Sequence, residues 1–514
     1  MGNLLILHAI GLNEYSLTKE LPTPEDLSVT KDAFLQTIDR SRKLPEVTDT
    51  ILLTDLPEER FSSQWKREWG RIVSRPNWTV LDLLQYIRQE SEGYGHIFSI
   101  WSDTPLLDLE LGKKMYTNHQ RFFADYTFAD GYPLGLSPEI LKPTALTQLI
   151  ELSQRHEVRV TRNYIFEVLQ KDINAFDLET EVAPLDQRML RVSLSADTRR
   201  TFLQLDRVIR AGGRDAPTVQ KILAEQPELL RTLPAFVNIQ VAGGCPQSCS
   251  YCPYPLIGGD ILQRRDEMPL DRWTKLLDKV VEFCNDAVIG ISMWGEPSLH
   301  TRIVEIVSAV LRRPGLSLVI ETSGVGWSVP VLEQIARDRE AGIPGDLTWI
   351  VSLDTDDRDL YSTLRGGQWD EAVGTVDMLR ALFPGQVYVQ AVRMKNNEEQ
   401  LDGFFRHWEK EEDLEVIVQK YDSFCGFLPE RKVTDLSPIE RFPCWHLKRD
   451  LAVLLDGSVP MCREDLKGEY VLGNVFQESL EEIWKRGESY YRLHLEGEYP
   501  GLCGRCDEFY TYNF

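Results

Sequence analysis

Positive charge is scarce in this chain. Its 514 residues carry 57 Lys and Arg against 80 Asp and Glu, a formal net charge of −23. Nucleic-acid binding draws on Lys and Arg contacts to phosphate, so this balance argues against a nucleic-acid partner. A membrane-spanning stretch is also missing, because no apolar run reaches the ~20 residues a bilayer requires. The opening Met1-Gly2-Asn3-Leu4-Leu5-Ile6-Leu7-His8 has no basic flank and no cleavage site, and it reads as a first β-strand, not a signal peptide. Nine cysteines, an odd number, argue against a closed disulfide framework. These absences together predict a cytoplasmic protein without a membrane partner. What remains is an ordinary globular composition, 42% hydrophobic, in a chain long enough for about two to four domains.

Three of the cysteines fall in Cys245-Pro246-Gln247-Ser248-Cys249-Ser250-Tyr251-Cys252, a C-x3-C-x2-C loop. A 4Fe-4S cubane normally takes four thiolates, so three on one loop leave one iron open to a ligand that is not protein. Zinc prefers C-x2-C pairs that together supply four ligands, which fits this loop poorly. The loop resembles that of the radical S-adenosylmethionine (radical SAM) enzymes. The resemblance implies a 4Fe-4S cluster on Cys245, Cys249 and Cys252, whose open iron chelates SAM. It further implies reductive cleavage of SAM to a 5′-deoxyadenosyl radical that abstracts hydrogen from a substrate, with an electron donor such as flavodoxin or ferredoxin.

The middle of the chain alternates two patterns. Apolar, β-branched runs at 236–241, 287–294, 316–321, 347–353, 387–393 and 414–420 predict strands, and amphipathic stretches at 271–283, 330–338, 369–382 and 398–409 predict helices. Strand–helix alternation implies a parallel sheet, here a partial (β/α)6 barrel with catalytic groups at the strands' C-terminal ends. Several strand ends resemble radical SAM motifs. Trp294-Gly295-Glu296 is similar to the family's Gly-Gly-Glu, with Trp in place of the first Gly. Thr322-Ser323-Gly324 ends the third strand. Residues on alternate positions share a strand face, which predicts that Ser352 and Asp354 look into one site. By resemblance, Tyr251, Gly295, Glu296, Ser352, Asp354, Gln390 and Arg393 are the SAM contacts. Tyr361-Ser362-Thr363-Leu364-Arg365-Gly366 resembles a stretch common in the SPASM subgroup, with a surface ion pair as the other reading for Arg365 and Arg393. Arg393, Tyr421 and Asp422 are the catalytic candidates by position.

A second set, Cys444, Cys462, Cys503 and Cys506, lies near the C-terminus. Between its first two members, the Asp456-Gly457 turn signal predicts a β-hairpin that returns Cys462 beside the start of the unit. The order of elements resembles the twitch domain, the short form of SPASM. That implies one auxiliary 4Fe-4S cluster with every iron ligated by protein, suited to accepting an electron from a substrate radical. Four cysteines are also a zinc set. Of the remaining cysteines, Cys284 reads as a small buried apolar residue, while Cys425 follows the sixth strand toward the active-site face.

The first two hundred residues form a further α/β pattern, with strands at 4–10, 50–54 and 97–102 and helices at 31–39, 81–89 and 108–118. The stretches Trp101-Ser102-Asp103-Thr104-Pro105 and Val192-Ser193-Leu194-Ser195-Ala196-Asp197 resemble the cytidylyltransferase group of sugar nucleotidyltransferases. The resemblance makes Asp103 and Asp197 a carboxylate pair for one magnesium ion. The stretch after the first strand, 11–20, has one Gly, one Lys and no Arg where that group carries a Gly- and Arg-rich triphosphate loop. A degenerate domain is therefore expected.

The fold expected is α/β throughout: a nucleotidyltransferase-like domain at 1–210, a linker at 211–234, a radical SAM core at 235–430 and a cysteine-rich twitch domain at 431–514. The combination resembles a SPASM subgroup described from spirochaetes. It implies a radical SAM oxidoreductase acting on a small molecule, a sugar or sugar-nucleotide by the N-terminal likeness. The alternatives are a peptide-modifying enzyme and a non-catalytic iron–sulfur binding or maturation factor.

Overall fold

The computed structural model describes residues 2–61, 70–341, 345–439, 441–499 and 501–511. The chain divides into two compact units, Met1–Leu230 and Arg231–Phe514.

The first unit is built on a seven-stranded sheet in the order Arg71–Ser74, Val47–Thr54, Asn3–Ala9, Ile97–Trp101, Glu139–Leu141, Tyr126–Asp130, Leu178–Val182. Glu139–Leu141 runs antiparallel to both neighbours, and the other pairings are parallel. Asn3–Ala9 sits centrally and is buried on both faces, which is why its sequence is an unbroken apolar run. Leu5, Leu7 and Ala9 face one core, and Leu4 and Ile6 face the other. Residues 211–230, expected as part of a linker, belong to this unit. Ala216–Glu225 is a helix whose N-cap Asp215 accepts from the Thr218 amide. Its Val219 and Leu223 are buried in the same core as Leu205 and Val208. A segment that buries this much apolar surface is part of a fold and cannot act as a spacer.

The second unit carries an all-parallel sheet in the order Glu415–Lys420, Val387–Arg393, Leu347–Ser352, Leu316–Thr322, Ala287–Gly290, Phe236–Ile239, Asp450–Val453. The first six in chain order are the expected barrel strands. Helices on its outer side include Leu270–Cys284, Ile303–Leu311, Val329–Glu340 and Trp369–Leu382, and their apolar stripes join the strands in one core. Glu415–Lys420 and Asp450–Val453 are the two sheet edges, so the barrel is open.

The seventh strand comes from the C-terminal region, and it changes the expected boundary at 430. Leu451 and Val453 lie in one core with Val237 and Ile239. Arg231 adds to the tie by donating to the carbonyls of Leu447 at 2.9 Å and Trp484 at 2.8 Å. The cysteine-rich region is therefore built onto the sheet, not beside it. The expected hairpin is displaced as well. The Asp456-Gly457 turn closes with Leu454 N–H to Ser458 C=O at 2.8 Å, but Asp450–Val453 pairs with the large sheet. The antiparallel partner of Ser458–Pro460 is Val471–Asn474.

Candidate functional site

Cys245, Cys249 and Cys252 follow the Phe236–Ile239 strand and line one cavity of about 220 Å³ at the C-terminal ends of the strands. All three are free thiols. Burial pushes the pKa of each thiol up, that of Cys252 to about 12. The backbone leaves no slack around the loop. A Cβ on Gly244 would meet the Arg264 carbonyl at 2.3 Å, and one on Gly295, whose φ is +88°, would meet the Ala242 carbonyl at 2.2 Å. Only glycine allows this approach, and it lets the Glu296 amide donate to the Gly244 carbonyl at 2.7 Å. Three soft ligands lining one cavity fit an iron–sulfur cluster with one open position.

Glu296 is buried against the end of the next strand. Its carboxylate accepts from Thr322 Oγ1 at 2.5 Å, Ser323 N–H at 2.8 Å and Ser323 Oγ at 2.7 Å. Burial raises its pKa while these donors oppose the rise. Ser352 and Gln390 also line the cavity, with Gln390 Nε2 donating to Glu321 Oε1 at 2.8 Å and to Ser352 Oγ at 3.3 Å. Trp294, standing where the motif has its first Gly, stacks on Tyr254 with ring centroids 6.0 Å apart and contributes to the cavity wall.

Two expected SAM contacts are placed elsewhere. Asp354 does not share the face of Ser352, because its φ of +71° breaks the strand alternation. Its carboxylate is taken up by Arg365 Nη1 at 2.8 Å, Tyr251 OH at 2.5 Å and the Val392 amide at 2.8 Å. Arg365 is buried rather than a surface residue, and also donates to Gln247 Oε1 at 3.1 Å and to Tyr251 OH. Asp354 thus anchors the cysteine loop through Arg365 and Tyr251, while Tyr251 and Arg365 themselves reach the cavity wall. Arg393, offered as a catalytic and a SAM-binding residue, lies on the opposite face of its strand from the cavity-lining Gln390 and Val392. It forms an ion pair with Glu398 at 2.6 Å, with its side chain 37% exposed. The surface reading holds for Arg393.

Tyr421 and Asp422 both line the cavity. The Tyr421 hydroxyl donates to the Pro429 carbonyl at 2.6 Å. Asp422 is raised as an acid by burial and meets Arg463 Nη2 at 3.3 Å. Sequence reasoning missed Arg463 and Phe424, which also line the cavity. The signal available for Arg463 was its position next to Cys462.

Cys444, Cys462, Cys503 and Cys506 line a second, small pocket together with Leu447, Phe509 and Glu464. Cys444 caps the Trp445–Arg449 helix, and the Cys506 sulfur accepts from the Glu508 amide at 3.3 Å. Here too every thiol is free, and burial raises Cys503 to about 12. Four thiols around one buried apolar pocket supply the full donor set of a protein-ligated 4Fe-4S cluster. Cys425 lines neither the first cavity nor the pocket of the four cysteines, but a neighbouring one that it shares with Glu464. His446 is fully engaged, with Nδ1 2.6 Å from Asp450 and Nε2 3.0 Å from the Glu508 carbonyl.

In the first unit, Asp103 and Asp197 do come together, but around an arginine. Arg162 Nη1 and Nη2 donate to the two Asp103 oxygens at 2.9 and 2.6 Å, and Nε donates to Asp197 Oδ2 at 3.1 Å. A guanidinium occupies the place expected for magnesium and satisfies both carboxylates bidentately or singly. The magnesium expectation is therefore corrected.

Comparison with known proteins places these features. Residues 239–407 match the radical SAM superfamily, and residues 444–507 match the SPASM iron–sulfur cluster-binding domain. An uncharacterised protein of Treponema pallidum (strain Nichols) is 39% identical over 363 residues, 68% of this chain and 99% of that protein. The PqqA peptide cyclase of Xanthomonas euvesicatoria pv. vesicatoria (strain 85-10) is 23% identical over 311 residues, 53% of this chain and 80% of its own length. Among solved structures, a cytidylyltransferase from Leptospira borgpetersenii gives a TM-score of 0.36 at 14% identity, covering 44% of this chain and 95% of its own. No helix is long and apolar enough to cross a membrane among the described residues. With a three-cysteine loop at a strand end, an auxiliary cysteine set built onto the same sheet, and these matches, the chain belongs to the radical SAM superfamily and carries a C-terminal SPASM domain.

Proposed function

We propose that this protein is a radical SAM oxidoreductase that removes hydrogen from a polar small molecule of sugar type and passes the remaining electron to its auxiliary cluster. The carrying observation is the wall between the two cysteine sets. Asp422, Phe424 and Arg463 line the first cavity, and Arg463, next to Cys462 in the chain, also lines the pocket of the second cysteine set. One layer of side chains thus separates the substrate space from the second cysteine set.

When bound, the first cluster and SAM supply the hydrogen-abstracting radical, and Cys245, Cys249 and Cys252 hold that cluster. Glu296 accepts from the SAM ammonium, kept rigid by Thr322 and Ser323. Ser352 and Gln390 orient the rest of the cofactor. Asp422, buried and raised as an acid, is the group placed to take a proton from the substrate as its electron leaves. The polar groups that line the cavity, among them Glu321, Gln390, Lys420 and Asp422, suit a ligand with several hydroxyl or amino groups. The peptide reading is favoured by one observation, the likeness to a PqqA peptide cyclase.

The experiment that separates them is transfer of deuterium into 5′-deoxyadenosine from labelled sugars and from labelled peptides. Label from sugars is the expected result. Label from peptides alone overturns the substrate class, and no label from either, with only slow uncoupled SAM cleavage, favours a non-catalytic factor.

A further inference from the structure

Arg463 stands in the wall of the first cavity with part of its guanidinium uncommitted. Nε donates to Glu464 Oε1 at 3.0 Å and Nη2 donates to Asp422 Oδ2 at 3.3 Å, with Glu508 Oε2 3.6 Å from Nη2. These acids hold the planar fork in one orientation. Nη1 is different. No acceptor among the described residues takes up its N–H groups. It is not a sealed buried donor either, and the side chain is 25% exposed. The exposed wall of the cysteine pocket is apolar, so the first cavity is the space into which these donors open.

The charge around Arg463 decides what such a donor can receive. Its ion pairs continue through Glu508 to Lys420, and from Lys420 at 3.1 Å through Asp507 to Lys432. The linked set holds four acids, Asp422, Glu464, Asp507 and Glu508, against three cations, Lys420, Lys432 and Arg463. No positive charge is left over to hold a phosphate or a carboxylate. Elsewhere on the cavity wall Arg365 is paired with Asp354, and Glu321 adds a further acid. An uncharged oxygen needs no surplus of charge, and it satisfies a guanidinium N–H that lacks an acceptor.

We propose that Arg463 is a substrate-binding residue whose Nη1 donates to an uncharged oxygen, a hydroxyl of a free sugar. The inference rests on the reading that the first cavity takes a sugar. It narrows that reading by setting sugar phosphates and sugar nucleotides aside. Nη2 of the same guanidinium holds Asp422, so the bound hydroxyl lies beside that carboxylate.

The test is deuterium transfer into 5′-deoxyadenosine at varied substrate concentration, using the reconstituted full chain. The probes are deuterated neutral and amino hexoses and the corresponding hexose phosphates. R463M leaves three acids without their shared cation and can fail to fold. R463K keeps the charge and loses the fork, so it carries the test, with iron content and SAM affinity measured alongside. The expected result is transfer from a free hexose and not from its phosphate. In R463K the half-saturating hexose concentration should rise about 10- to 100-fold, with iron and SAM affinity unchanged. An unchanged half-saturating concentration overturns the proposal, as does transfer from the phosphates that equals or exceeds that from the free hexoses. Loss of iron from R463K also overturns it, by assigning Arg463 to the architecture of the cysteine pocket. No label from any hexose in the wild type would instead remove the sugar reading itself, and the proposal with it.

Discussion

Glu296 shows what a single side chain contributes here. Its carboxylate is fixed by three donors from Thr322 and Ser323, so it meets an ammonium without reorganising. E296Q keeps the size and loses the charge. Charged hydrogen bonds contribute about 1.5–3 kcal/mol, so SAM affinity should fall by roughly 10- to 100-fold with the iron content unchanged. Equilibrium SAM binding and an iron assay check both halves, and loss of iron together with SAM binding would assign Glu296 to the cluster instead. In the first unit, Arg162 is the only cation drawn into the Asp103–Asp197 pair among the described residues. R162A strands a fully buried carboxylate, which costs about 3–5 kcal/mol. Its melting temperature should drop accordingly, while magnesium should leave the wild type's melting temperature unmoved.

His8 gives a pH effect at the same scale. It is buried, with Nε2 2.9 Å from Ser99 Oγ, and burial lowers its pKa from 6.5 to about 3. The unfolded chain therefore binds this proton more readily, and the neutral buried His8 supports the fold fully above pH 6.5. That support is lost as the pH falls from 6.5 toward 3. Glu139, raised to about 7 by burial, has the opposite slope but is common to wild type and variant. H8N should lose less stability than the wild type between pH 7 and pH 4, read by denaturant midpoints at the two values. Equal losses would remove His8 from the account.

At the level of elements, the glycine that closes the strand end onto the cysteine loop is the most exacting. G295A places a Cβ 2.2 Å from the Ala242 carbonyl at a φ of +88°, so loop and strand end must separate. Assembly of the first cluster should fail, with a loss of about four irons and of SAM binding, while an unchanged iron count would show that the loop tolerates the shift. The six barrel strands were legible because each is a short apolar run followed by an amphipathic helix. So were the cysteines, by spacing. Pairing across distance was not legible: nothing local in Asp450–Val453 says that it completes a sheet begun at Phe236, and that is why the boundary at 430 dissolved. Alternation failed at Asp354 for the same kind of reason, since a positive φ at one residue ends the strand's period. Cys425 was misplaced because a loop has no period to read. The glycine and the acid of the Trp294-Gly295-Glu296 motif survive the change at Trp294, whose ring stacks on Tyr254.

The whole molecule joins two units with different economies. The first keeps a sheet and two cores but fills its cation position with its own arginine. The second gathers two cysteine sets, and Arg463 lines both the first cavity and the pocket of the second set. The net charge of −23 disfavours an acidic electron-transfer partner docking without a local basic patch. The electron-acceptor role depends on the second set holding iron. Iron and zinc per chain after anaerobic reconstitution therefore test the central claim most directly. About eight irons and no zinc is the predicted result. About four irons, with zinc at the C-terminal cysteines, would contradict it and remove the oxidative function proposed here.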